Sequence, residues 1–333
     1  MNGRCVITVG DLGEFGVVAR IAGRLSQGGT VLLGPGDDAA VVRAPDGRVV
    51  VTTDLLLEGR HFRLDWSSGY DIGRKAAAQN LSDVVAMGAD PTGIVVGLGL
   101  PADAAVGWLD DLTDGFRDEC DLVGASVAGG DITRSELVVI SVTALGDLGG
   151  RAPVTRSGAR PGDVVAITGR LGYAAAGLAL LGAGPAGSSG PIEPSEPSEL
   201  VGLAELVDAH RRPEPPYARG PQAAVLGATA MLDVSDGLLQ DLGHVATASG
   251  IALLLDPGAF TVPAVMREAA RLTGTDPLEW VLSGGDDHAL AATFPAGVRL
   301  PEGWTVVGRA AEGTGVQVSG MTPARGGWDH FRE

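Results

Sequence analysis

Short β-branched runs alternate with helical ones along most of this chain, and that alternation narrows its possible folds more than any other feature. Residues 12–26 (LGEFGVVARIAGRLS) set Leu12, Phe15, Val18 and Ile21 at helical spacing. Residues 47–54 (GRVVVTTD) read as a strand ending at Asp54. A helix over 71–88 stops at Gly88, with Pro91 just beyond. A strand over 92–100, a helix over 103–123 and a strand over 137–146 follow. This is the order of an α/β or α+β chain. Around 147–163 the composition shifts to Gly, Pro and Arg, and a second α/β unit begins at Val164. The expected domains are therefore 1–150 and 151–333. In the second, the Pro/Ser/Gly-rich stretch 183–200 reads as a mobile surface loop, and 236–249 as a helix.

Composition excludes several classes of function. A chain of 333 residues, 45% hydrophobic, supports two globular domains. Its longest apolar stretches, such as 93–100, are too short to span a bilayer. The first twenty residues lack the pattern of a secretory signal. Cys5 and Cys120 make neither a disulfide framework nor a metal-binding spacing. The expectation is a cytoplasmic enzyme. A net charge of −17 argues against nucleic acid or an anionic membrane as partner. A phosphate substrate would have to be met by divalent cations, backbone N–H groups or a few placed arginines. The only lysine, Lys75, lies in Gly-Arg-Lys-Ala, which excludes a Walker A loop.

Aspartates recur beside glycines or at expected strand ends: Asp37 and Asp38 in GPGDDAA, Asp54 in VTTD, Asp131 in AGGD, Asp233 and Asp236 in DVSDG, Asp286 and Asp287 in SGGDDH. Asp83 lies within a helix, with Gln79 and Asn80 on its face. Alone, each reads as a turn or cap residue. Together they form a set of hard oxygen ligands of the kind Mg²⁺ takes alongside phosphates and waters. Asp233 or Ser235 is also placed to cap the helix that follows, and a helix N-terminus attracts phosphate. Arg156 is either a solvated linker residue or a bidentate phosphate donor. His61 beside Phe62 is either packed or functional, and Trp328 either buried or a stacking surface for a flat ring.

The strings GDDAAV, TTDLLLEGRHF, KAAAQNLSDVVAMGADP, GGDITR, TRSGARPGD, DVSDGLLQDLGH, SGGDDHAL and GGWDHF occur in this order. They resemble the successive motifs of the thiamine-monophosphate kinases, a family of the PurM-like ATP-binding superfamily, from about residue 12 to 331. The resemblance implies a PurM-like α/β (α+β) fold. Its N-terminal domain would bind ATP and Mg²⁺ and form a homodimer through its sheet, with a C-terminal α/β domain beside it. It implies phosphoryl transfer from ATP to thiamine monophosphate, with several Mg²⁺ ions. The metal ligands it implies are Asp38, Thr52, Thr53, Asp54, Asp83, Asp131, Asp233 and Asp236. It implies ATP contacts at Gly130, Asp131, Arg156 and Ser235, and substrate contacts at His61, Asp286 and Trp328.

The sequence departs from the family string SGGEDYEL at one place, where it reads SGGDDHAL. Asp286 keeps the charge of the usual glutamate with one methylene fewer, and His288 and Ala289 replace a tyrosine and a glutamate. Three other readings stand beside the kinase: another PurM-like ATP-dependent synthetase, a non-catalytic nucleotide sensor of the same fold, and a metal-dependent phosphatase.

Overall fold

A capping box starts the described chain: the Thr8 hydroxyl accepts the Asp11 N–H, and the Asp11 carboxylate accepts the Thr8 N–H at 2.9 Å. The computed structural model describes residues 7–34, 40–183, 197–321 and 327–328. It divides into two compact units, 1–84 with 89–150, and 85–88 with 151–333.

In the first unit, helix α1 (Val9–Ala22) is interrupted at Gly13, whose φ is +65°. Its buried stripe is offset from the expected one, with Val17 buried and Val18 exposed. Strands β1 (Val31–Leu33) and β2 (Val41–Val42) form a separate antiparallel pair. There follow β3 (Val50–Leu57), α2 (Gly69–Ala86), β4 (Asp90–Leu100), α3 (Val106–Asp121), β5 (Val127–Arg134) and β6 (Val139–Asp147). They build a four-stranded sheet of order β3-β6-β4-β5, in which only the β4–β5 pair is parallel.

Two expectations are corrected here. Asp54 does not end its strand, because β3 continues to Leu57 and leaves Asp54 in mid-strand. The glycines of AGGD do not make a turn but lie inside β5. A Cβ on Gly130 would stand 2.1 Å from the Val96 carbonyl oxygen, so this glycine permits a close approach of β4 and β5.

The sheet has unlike faces. Leu56, Ile140, Val142, Ala144 and Ile94 are buried on one. Val51, Leu55 and Val95 are exposed on the other, around Thr53 and Thr143. Helices α2 and α3 cross through a glycine seam. A Cβ on Gly73 would lie 2.2 Å from the Leu112 carbonyl oxygen, and one on Gly115 2.3 Å from that of Tyr70. Arg74 on α2 and the buried Glu119 on α3 form an ion pair across the same crossing.

The second unit contains β7 (Val164–Thr168), α4 (Tyr173–Gly182), α5 (Pro197–Arg211), α6 (Arg219–Leu226), β8 (Ala230–Val234) and α7 (Leu238–Ser249). It continues with β9 (Ala252–Leu255), α8 (Ala264–Thr273), α9 (Pro277–Ser283), β10 (Ala289–Phe294), β11 (Thr305–Ala311) and β12 (Gly315–Val318). Its six-stranded sheet has the order β12-β9-β11-β7-β10-β8. One core, including Val165, Leu232, Leu253, Leu242, Met266 and Trp280, lies under α4, α5, α7, α8 and α9. A second, with Phe294 edge-on to Trp304 at 5.1 Å between centroids, lies near α6. Of the expected loop 183–200, residues 184–196 lie outside the described ones, and 197–200 instead begin α5. Proline is compatible with that first helical position because its missing N–H would have no helical partner.

Candidate active site

In the first unit, α2 presents Gln79, Asn80 and Asp83 to the inner face of β3. The Thr52 hydroxyl donates to Asp83 Oδ2 at 2.6 Å, and Gln79 Nε2 donates to Asp54 Oδ2 at 3.0 Å. Asn80 turns its amide both ways: Oδ1 accepts the Asp54 N–H at 3.1 Å, and Nδ2 donates to the Ala76 carbonyl at 2.9 Å. These donors are neutral, so they orient the two carboxylates without cancelling their charge.

The two-residue repeat of β3 puts Thr52 and Asp54 on this face and Thr53 on the other. The Thr53 hydroxyl donates to the Val142 carbonyl at 2.9 Å and meets Thr143 Oγ1 at 3.1 Å. The structure therefore does not bring that hydroxyl to Asp54 and Asp83. Asp131 lies on β5, three strands from β3 in the sheet order. At the usual strand spacing this is roughly 14 Å, too far to share one cation with Asp54. Asp38 lies outside the described residues. Beyond β3, His61 Nδ1 accepts the Leu57 N–H at 3.0 Å, which places the ring proton of a neutral His61 on Nε2.

In the second unit, Asp233 stands near the end of β8, ahead of the turn into α7. The expected capping by Asp233 or Ser235 does not occur. Gly237 is the cap residue, and Asp241 Oδ2, one turn into α7, accepts the N–H groups of Ser235, Asp236 and Gly237, each at 3.1 Å. The phosphate-attracting N–H groups of this turn are thus already met by the protein's own carboxylate. Burial, then the charges of Asp233 and Asp236, push Asp241 up to about 7.

The SGGDDH segment packs against the same turn. Asp286 N–H donates to the Ser235 carbonyl at 2.8 Å, and His288 N–H to that of Val234 at 2.9 Å. Asp286 and His288 both adopt left-handed backbone, with φ of +65° and +52°. For residues other than glycine this costs about 1–2 kcal/mol each. Between them, the buried Asp287 turns away to accept the N–H of Gly172, and that of Ala174 at 2.8 Å, at the start of α4. His288 Nδ1 meets Asp233 Oδ2 at 3.0 Å, with both side chains buried. Trp328 N–H donates to the Asp236 carbonyl at 2.9 Å, and its own carbonyl accepts from Gln240 Nε2. Its side chain is 49% exposed beside this turn. Arg156 is exposed, and its carbonyl accepts from Ser249 Oγ at 3.2 Å.

Among the described residues, no three His, Cys, Asp or Glu side chains form a ready-made metal cluster. Mg²⁺ needs only one or two carboxylates when phosphates and waters complete its octahedron. Asp54 with Asp83, and Asp233 with Asp236, are hard oxygen donors. These residues fit Mg²⁺.

Residues 36–148 match the family described as AIR synthase related protein, N-terminal domain. The whole chain is 48% identical over 329 residues to thiamine-monophosphate kinase of Mycobacterium tuberculosis (strain ATCC 25618 / H37Rv), covering 98% of this chain and 94% of that protein. The chain belongs to the thiamine-monophosphate kinase family. The Escherichia coli (strain K12) member of that family is 37% identical over 85% of this chain and 83% of its own. A solved structure described as AaThiL complexed with AMPPCP and TMP superposes with a TM-score of 0.77 at 33% identity, covering 98% of this chain and 99% of that one. Thiamine-monophosphate kinase from Stenotrophomonas maltophilia K279a gives 0.75 at 36% identity, over 91% of this chain and 94% of that one. The hydrogenase maturation protein HypE in complex with ATP, at 17% identity and a TM-score of 0.65, shares the fold. The chain thus has the PurM-like fold of the thiamine-monophosphate kinase family.

The sequence did not reveal the partners of four residues of this family member, Asp241, Gln79, Asn80 and His288. Asp241 was detectable as an acid in the first turn after DVSDG. Gln79 and Asn80 were on the correct helix face but without partners. The His288–Asp233 contact showed only as a departure from the family string.

Proposed function

We propose that this chain transfers the γ-phosphoryl group of ATP directly to the phosphate of thiamine monophosphate, releasing ADP and thiamine diphosphate. The observation that carries the reading is a pair of carboxylates, Asp54 and Asp83, that accept from the neutral donors Gln79 and Thr52. It is set within a chain that matches this kinase family over nearly its full length. An acceptor phosphate oxygen attacks the γ-phosphorus, the bond to the bridging β,γ-oxygen breaks, and that oxygen leaves on ADP. A phosphate monoester with a second pKa of about 6 is largely ionised at neutral pH, so no residue need act as general base. Bound Mg²⁺ would neutralise the phosphate oxygens that must approach one another.

The cation ligands in this reading are Asp38, Thr52, Asp54, Asp83, Asp131, Asp233 and Asp236. The roughly 14 Å between strands β3 and β5 favours several ions over one. Gly130, Asp131, Arg156 and Ser235 contact ATP, with Arg156 as a charge-assisted donor to phosphate. His61 offers its Nε2–H to the thiamine substrate, Asp286 sets its charge near the thiazolium, and Trp328 stacks on a ring. The exposed apolar face bearing Val51, Leu55 and Val95 supports a homodimer formed through the N-terminal sheet. A cytoplasmic location accords with the finding that no helix among the described residues is long and apolar enough to cross a membrane.

A coupled ADP-release assay tests the reading. Thiamine monophosphate should be required for rapid ADP release, with thiamine or no acceptor giving only background. Release independent of acceptor would indicate an ATPase or phosphatase, and no release at all a sensor.

A further inference from the structure

His288 occupies an expensive position. It is held in left-handed backbone, its N–H is tied to the Val234 carbonyl at 2.9 Å, and its side chain is buried. Strand register explains where the ring goes. Leu290 is the cross-strand partner of Asp233, and residue 288 lies two positions before it. Such diagonal neighbours are within reach of a ring-sized side chain. His288 Nδ1 accordingly stands 3.0 Å from Asp233 Oδ2. A carboxylate that binds a cation is deprotonated and can only accept, so the ring nitrogen is the donor.

We propose that His288 is a positioning residue for Asp233: its Nδ1–H fixes the plane of the carboxylate through Oδ2 and leaves Oδ1 for a cation. The inference rests on the reading of Asp233 as a cation ligand given above. A carboxylate without this donor would rotate about its last bond and lose one of its hydrogen-bond partners. Donors behind a metal ligand typically contribute about tenfold to a hundredfold to affinity.

Three variants separate the inference from its premise: Asp233→Asn, His288→Leu and His288→Asn. Asparagine tolerates left-handed backbone and retains an N–H near the position of Nδ1. The readouts are Mn²⁺ binding by electron paramagnetic resonance and Mg²⁺-dependent binding of a non-hydrolysable ATP analogue by calorimetry, with melting temperature as the folding control. Asp233→Asn should abolish the tight Mn²⁺ site, and wild-type binding in that variant would overturn the ligand role itself. His288→Leu should weaken Mn²⁺ binding by about tenfold to a hundredfold. His288→Asn should restore most of it. If Asp233→Asn is impaired while His288→Leu binds like wild type, His288 does not position the ligand. If His288→Asn behaves like His288→Leu at equal melting temperature, the donor is not what matters. Should His288→Leu fail to fold, the ¹⁵N spectrum of the His288 ring in the wild-type protein decides. A protonated Nδ1 supports the proposal and a bare Nδ1 overturns it.

Discussion

Asp287 is an acid with its charge in an unfavourable place, and it ties the SGGDDH segment to the start of α4. Burial pushes its carboxyl up to about 7, against the two backbone N–H groups that favour the ionised form. An unfolded aspartate titrates near 3.9. Between about pH 4 and 7 the unfolded chain has released this proton and the folded one has not, so stability falls as pH rises through that window. The expected outcome is a melting temperature that declines from pH 4 to 7 more steeply in the wild type than in Asp287→Asn. Equal slopes would contradict the assignment. The acids were legible in the sequence only as a set, because several recur beside glycines along the chain. Their partners were not. Asp241 caps its own turn, Asp287 reaches Gly172 and Ala174, and His288 reaches Asp233. The last two connections depend on which strands and loops the fold brings together, which one-dimensional spacing does not encode.

At the scale of elements, periodicity found most helices and strands and misplaced their ends. β3 was read as ending at Asp54 because the acid resembles a stop, yet an edge strand with two polar inner positions, Thr52 and Asp54, accommodates it under α2. The glycines of α2 and α3 are a further case: helix propensity disfavours them, yet they make the crossing possible. Gly73→Ala should destabilise the protein by about 1–3 kcal/mol, because the new Cβ would lie 2.2 Å from the Leu112 carbonyl oxygen and the helices must part. Gly107→Ala on α3 meets nothing within 4 Å and should be neutral or stabilising by up to about 1 kcal/mol from helix propensity. Chemical denaturation of the two variants should give shifts of opposite sign or clearly different size. Equal losses would mean the close crossing is not a constraint.

For the whole molecule, the exposed apolar face of the N-terminal sheet is the feature that a monomer leaves unexplained. Val51 and Leu55 are 59% and 49% exposed on it. Light scattering should give twice the 33.6 kDa of one chain, and Leu55→Asp should shift the protein toward monomer. A wild-type monomer would contradict the dimer reading. The central claim concerns the path of one phosphoryl group, and γ-labelled ATP follows it. In a rapid-quench experiment with thiamine monophosphate, label should pass from ATP into thiamine diphosphate at the rate ADP appears, with none held on protein at any time. Label trapped on the protein before product forms, or released as inorganic phosphate, would contradict direct transfer.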